Sequence, residues 1–205
     1  RDEGLVEEVR VRSGWAVGVA FLPGGTGAVH WADGRVQVRD AEGFASVDSF
    51  DLGETPDRET VHDLLSIPGT PYLAVACRRG VRIRDVQARE TVRHLHRPDD
   101  AARRRFLTKA LGGAPRQLRR LGGIWVGLGD DEVYSIDYHH WRNLLATGNA
   151  DGWIRLWNLE TEELAAEFYD LEGPIRMVKF SQDGRTLWTE GGRGVVRCWS
   201  LESIR

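Results

Sequence analysis

Residues 133–138 alternate, with Val133, Ser135 and Asp137 on one side and Tyr134, Ile136 and Tyr138 on the other, the period-two pattern of a strand. A short apolar run follows at Leu144, Leu145 and Ala146. The tight turn Ala150–Gly152 then leads into WIRLW, and Leu164–Tyr169 alternates again. Glycine at such turns supplies backbone angles that other residues resist. The pattern predicts four short antiparallel strands between Val133 and Tyr169.

The same order of elements recurs. Val133–Glu160 (VYSIDYHHWRNLLATGNADGWIRLWNLE) and Ile175–Glu202 (IRMVKFSQDGRTLWTEGGRGVVRCWSLE) align at a constant offset of 42, with Tyr138 on Phe180 and Trp157 on Trp199. Trp15–Asp40 and Val61–Asp85 align at 45, with Pro23 on Pro68 and Arg39-Asp40 on Arg84-Asp85. Fourth strands are expected at Phe44–Phe50, Thr91–Leu95 and Leu164–Tyr169. Four antiparallel strands repeated every forty-odd residues make a blade of a β-propeller. The fold class predicted is therefore all-β, a small β-propeller occupying residues 1–205 as one domain. Its blades lie at about 15–50, 61–96, 133–169 and 175–200, with 5–11 completing the last.

Third-strand ends at Asp2, Asp40, Asp85, Asn158 and Ser200 step by 38, 45, 73 and 42 residues. The long step leaves two readings. One is four recognisable blades with an irregular, partly helical insertion at 97–131; the other is five blades with one degraded. Arg1–Gly4 followed by LVEEVRV matches Arg39–Gly43 followed by FASVDSF, so the chain opens on a fourth strand. Pairing of Leu5–Val11 with Val195–Trp199 would close the ring and cover an edge strand that otherwise invites aggregation.

NADGWIRLWNLETEEL and GRGVVRCWSLE resemble the WD-repeat propellers, in a divergent, bacterial-type form. The Gly-His that precedes the first strand in that family is missing, and Trp157 and Trp199 are followed by Asn and Ser. The expectation is that the family's linking side-chain network is absent and stability leans on packing between blades. The resemblance also implies clasping of the ring by first and last strands. It further implies a protein or peptide surface on the channel rim, where the first strands place His62, Tyr134 and Arg176 at one equivalent position, with Trp15 two residues before its counterpart. His140 and Trp141, on a hairpin turn, form a second aromatic contact candidate.

Charge changes this picture in one place. Hydrophobic residues make up 41% and charged residues 29% of the chain, with a net charge of −3, which is ordinary globular composition. Yet Arg97–Arg120 carries seven arginines and Lys109 against Asp99 and Asp100, a local +6 that leaves −9 for the remainder. Arg103, Arg104, Arg105, Arg116, Arg119 and Arg120 are its candidate ligands for nucleic acid or phosphate. Phe106 is the one aromatic residue there, too few to stack successive bases, so a solvated helix is the plainer reading.

Chemistry is otherwise sparse. The chain has no GxSxG, HExxH or P-loop, and two cysteines, Cys77 and Cys198, read as core residues. His94 and His96 share one side of an outer strand without a third ligand. The longest apolar runs, such as Leu73–Cys77, are too short to span a bilayer. The expected function is a non-enzymatic scaffold in the cytoplasm, without cofactor or metal, binding another protein or another domain of its parent chain. Nucleic-acid binding through 97–120, and an enzyme or small-ligand binder using the central channel, are the alternatives.

Overall fold

The computed structural model describes residues 16–22, 26–31, 35–40, 46–51, 60–96, 132–170 and 173–204. They form four antiparallel sheets. The first is β1 (Ala16–Leu22), β2 (Thr26–Trp31), β3 (Arg35–Asp40) and β4 (Ser46–Asp51). The second is β5 (Val61–Ser66), β6 (Tyr72–Cys77), β7 (Gly80–Asp85) and β8 (Glu90–Leu95). The third is β9 (Val133–His139), β10 (Leu144–Asn149), β11 (Trp153–Asn158) and β12 (Glu163–Tyr169). The fourth has three strands among the described residues, β13 (Met177–Phe180), β14 (Thr186–Glu190) and β15 (Val196–Ser200). The sheets match the four predicted repeats, and each strand order follows the chain, as a blade built of successive hairpins requires.

First strands stand side by side, β1 against β5, β5 against β9 and β9 against β13. Burial falls off outward: β10 is buried along its whole length, whereas β12 alternates between exposed and half-buried. That gradient explains the sequence pattern. A strand covered on both faces reads as a continuous apolar run such as LLA, and an outer strand with one wet face alternates. The apolar residues gather into three cores, one between each successive pair of blades. Trp157 is buried between the second and third blades, and Trp199 packs between the third and fourth, as the repeat alignment predicts.

Gly152 closes the turn expected at Ala150–Gly152, with φ of +84° and a Cβ position only 2.8 Å from the Asp170 carbonyl oxygen. No other residue fits there without strain.

One expectation needs correction. Cys198 is exposed, whereas Cys77 lies in the core as predicted; the face of β15 that carries Cys198 has no following blade packed on it among the described residues. Polar contacts within the blades add to the packing between them. Trp199 Nε1 donates to Thr189 Oγ1 at 2.9 Å, and Arg155, almost wholly buried, donates to Glu167 at 3.0 Å and pairs with Asp151 at 3.5 Å. The closing strand 5–11 and the insertion 97–131 lie outside the described residues. No described helix is long and apolar enough to cross a membrane.

Candidate functional site

The first strands share an irregularity. Pairing of β5 with β6 skips residue 62, between Val61↔Cys77 and Asp63↔Ala76. Pairing of β9 with β10 skips residue 134, between Val133↔Asn149 and Ser135↔Gly148, and pairing of β1 with β2 skips residue 17. These are the same repeat position, so three first strands each carry a one-residue bulge there. A bulge leaves its extra residue out of the ladder and re-aims the side chain. Arg176 holds the corresponding place at the entry to β13, its backbone N–H donating to the Glu190 carbonyl.

The bulges bring predicted residues together. The rings of His62 and Tyr134 meet edge to face, 5.0 Å between centroids and 74° between planes. Glu132, which the sequence reading missed, joins them: its Oε1 lies 2.9 Å from His62 Nε2, and the Tyr134 hydroxyl donates to its Oε2 over a long 3.5 Å. Burial and the Glu132 charge raise the Tyr134 phenol above its ordinary pKa, and Arg176 pulls it partly back. The phenol therefore stays a neutral donor. Arg176 itself is exposed. The only sequence signal for Glu132 was its place two residues before Tyr134, the spacing that puts two residues of an extended chain on one side.

Beneath this rim, acids on one first strand clip the backbone of the next. Asp63 Oδ2 accepts from Ile136 N at 3.0 Å and from Ser135 Oγ at 3.3 Å; Asp137 Oδ2 accepts from Phe180 N at 2.7 Å. Burial raises the Asp63 carboxyl above the usual carboxylate range, against the pull of its hydrogen bonds. The clips hold the rim residues of adjacent blades at fixed separation. Ser135 is committed to this clip, since its Oγ also accepts from Val178 N at 3.4 Å.

The structure separates the other candidates. His140 and Trp141 stand on a single 3-10 turn (His140–Arg142) at the opposite end of β9. Trp141 is 85% exposed, and the turn beneath it is anchored by Arg142, which donates to the carbonyls of Gly184, Leu201 and Ile204. That same end of the first strands holds an open groove of about 510 Å³ between β1 and β5, lined in part by Phe21, Leu65 and Pro68. His94, on the outer strand β8, and His96, one residue past its end, stack at 5.7 Å, and His94 contacts the Arg79 carbonyl. Among the described residues no three His, Cys, Asp or Glu side chains converge as metal ligands. Trp15 and the arginines at 103, 104, 105, 116, 119 and 120 lie outside the described residues.

No family model matches the chain. Over 64 residues it is 34% identical to WD repeat-containing protein 91 of Gallus gallus, a match covering 31% of this chain and 8% of the relative. The Danio rerio protein of that name is 36% identical over 64 residues, again 31% of this chain and 9% of the relative. Pre-mRNA-processing factor 19 of Oryza sativa subsp. japonica is 29% identical over 77 residues, 38% of this chain and 14% of the relative. The chain thus spans a small part of the length of each. These matches support the WD-repeat resemblance, at low identity and over about a third of the chain.

Proposed function

We propose that this protein is a rigid, non-enzymatic platform of the WD-repeat kind that binds another protein, or another domain of its parent chain, through the rim formed by His62, Glu132, Tyr134 and Arg176. The observation that carries this reading is the recurrence of the bulge at one repeat position. It brings His62 and Tyr134 of adjacent blades together on one edge, and Arg176 holds the corresponding place at the entry to the first strand of the next blade. Tyr and Arg dominate binding energy where a partner desolvates them. The aspartate clips and the His62–Glu132 contact fix the rim before binding, so little ordering entropy is lost on association. Trp141, at the far end of β9, belongs to a separate contact.

A second reading is favoured by the charge imbalance alone: nucleic-acid or phosphate binding through Arg97–Arg120, which would weaken steeply with added salt. The two readings part in one pull-down from cell lysate, comparing wild type, a Tyr134→Ala with Arg176→Ala variant, and a variant with the 97–120 arginines neutralised, each checked for an unchanged melt. The platform reading expects a protein captured by wild type and lost with the rim variant only. Nucleic acid captured by wild type and lost only on neutralisation would move the function to the basic segment.

A further inference from the structure

The repeat supplies its own template for how one blade face meets the next. On the third blade, Ala146, Ile154 and Leu156 are wholly buried against the fourth. At an offset of 42 the same positions of the fourth blade are Trp188, Val196 and Cys198. Trp188 and Val196 are 49% and 57% exposed, and Cys198 is exposed beside them. At the other end of the series, Leu64 of the second blade pairs with Val75 and is buried against the first. Val19 holds the matching register, paired with Val29 in the first blade, and it is 55% exposed, with Phe21 on the same strand 80% exposed.

The chain therefore carries one half of a blade-to-blade interface at each end. The end face of β13–β15 has the positions that receive a following blade; the start face on β1 has the positions that meet a preceding one. Large apolar side chains exposed together in this way mark an association surface. We propose that the occupant is a second copy of this chain, the end face of one copy packing on the start face of the other as a continuation of the three interfaces within each chain. The argument for a second copy is complementarity by register: a face equivalent to Ala146–Leu156 fits a face equivalent to Leu64, and the exposed surface of that kind is β1. Within one copy the two faces do not share a core among the described residues. Such a head-to-tail interface gives a closed assembly when its rotation closes.

Sedimentation velocity across a wide concentration range tests this. Wild type is expected to move from one to two chain masses. Trp188→Glu and Phe21→Glu, each blocking one face, are both expected to disrupt the closed pair. An equimolar mixture of the two variants restores one interface, between the intact end face of Phe21→Glu and the intact start face of Trp188→Glu, and is expected to regain twofold mass. Monomeric wild type at all concentrations overturns the proposal, including the case where the ring closes within one chain. Undiminished dimers of Phe21→Glu overturn it too, because they require pairing of two end faces. Should either variant fail to fold, wild-type thiol labelling decides. Cys77 is buried, so maleimide reports on Cys198, and its rate is expected to fall as concentration rises. A constant rate overturns the proposal.

Discussion

The third and fourth blades are the closest pair in the chain, yet residues at the same repeat positions lead different lives in them. Arg155 and Arg197 lie 42 residues apart. Arg155 is buried within its own blade between Asp151 and Glu167, with its guanidinium carbon 6.0 Å from the Trp153 ring centroid. Arg197 is a third exposed and reaches back across the blade boundary to the buried Asp170 carboxylate at 2.6 Å. Trp157 Nε1 finds no partner among the described residues, whereas Trp199 donates to Thr189. Ala146, Ile154 and Leu156 are sealed, and Trp188, Val196 and Cys198 are open. Among the described residues the third blade has a neighbour on each side and the fourth has one. Position in the repeat fixes which way a side chain faces; the presence of a neighbour fixes what that facing is worth.

The largest test of this comparison removes the arginines. Arg155→Ala leaves the Asp151 carboxylate buried and short of its cation, and is expected to cost about 3–5 kcal/mol of unfolding free energy. Arg197→Ala is expected to cost less, since water can enter beside Asp170 where the guanidinium was already partly wet. Urea melts of both variants check the order; an equal cost would break the comparison. Next in size is the apolar pair. Leu156→Ala opens a cavity between two blades and should cost about 3 kcal/mol. Cys198→Ala, at the matching open position, is expected to stay within about 0.5 kcal/mol in dilute protein.

The smallest effect concerns the clips beneath the rim. Burial raises the Asp63 carboxyl above its ordinary 3.8, outweighing the hydrogen bonds from Ile136 and Leu64 that lower it. An acid raised on folding favours the folded state while protonated. Its contribution is present below the unfolded value and is lost as pH rises through the folded one. Asp63→Asn keeps an oxygen to accept from the Ile136 N–H and removes the charge. Melts from about pH 4 to pH 7 are therefore expected to show a shallower decline in stability for this variant than for wild type. A steeper decline would mean that the hydrogen bonds outweigh burial.

Much of the blade was legible because it is local. Alternation at 133–138, the apolar run at 144–146 and the glycine turn at 150–152 each report a strand or turn within a few residues. The repeat offset carries those assignments from one blade to the next. Even the rim was half legible, since the offset put His62, Tyr134 and Arg176 at one position without saying that they touch. Glu132 was not legible: an acid beside Asp130 and Asp131 looks like any solvated charge until the adjacent blade brings His62 to it. Cys198 misled for the converse reason. Its alternation within VVRCW correctly gave a strand face, but alternation cannot say whether anything covers that face.

The sequence by itself determined the strand pattern, the four repeats and the face on which each residue sits, because these follow from backbone periodicity and the conformational limits of glycine turns. Only the tertiary structure decided the bulges that aim the rim side chains, the pairing of Asp63 and Asp137 with backbone N–H groups of the next blade, and the burial of Arg155. Each depends on groups far apart in the chain meeting within hydrogen-bonding distance. Short-range forces of that kind leave no trace in the spacing of residues until the blades are side by side.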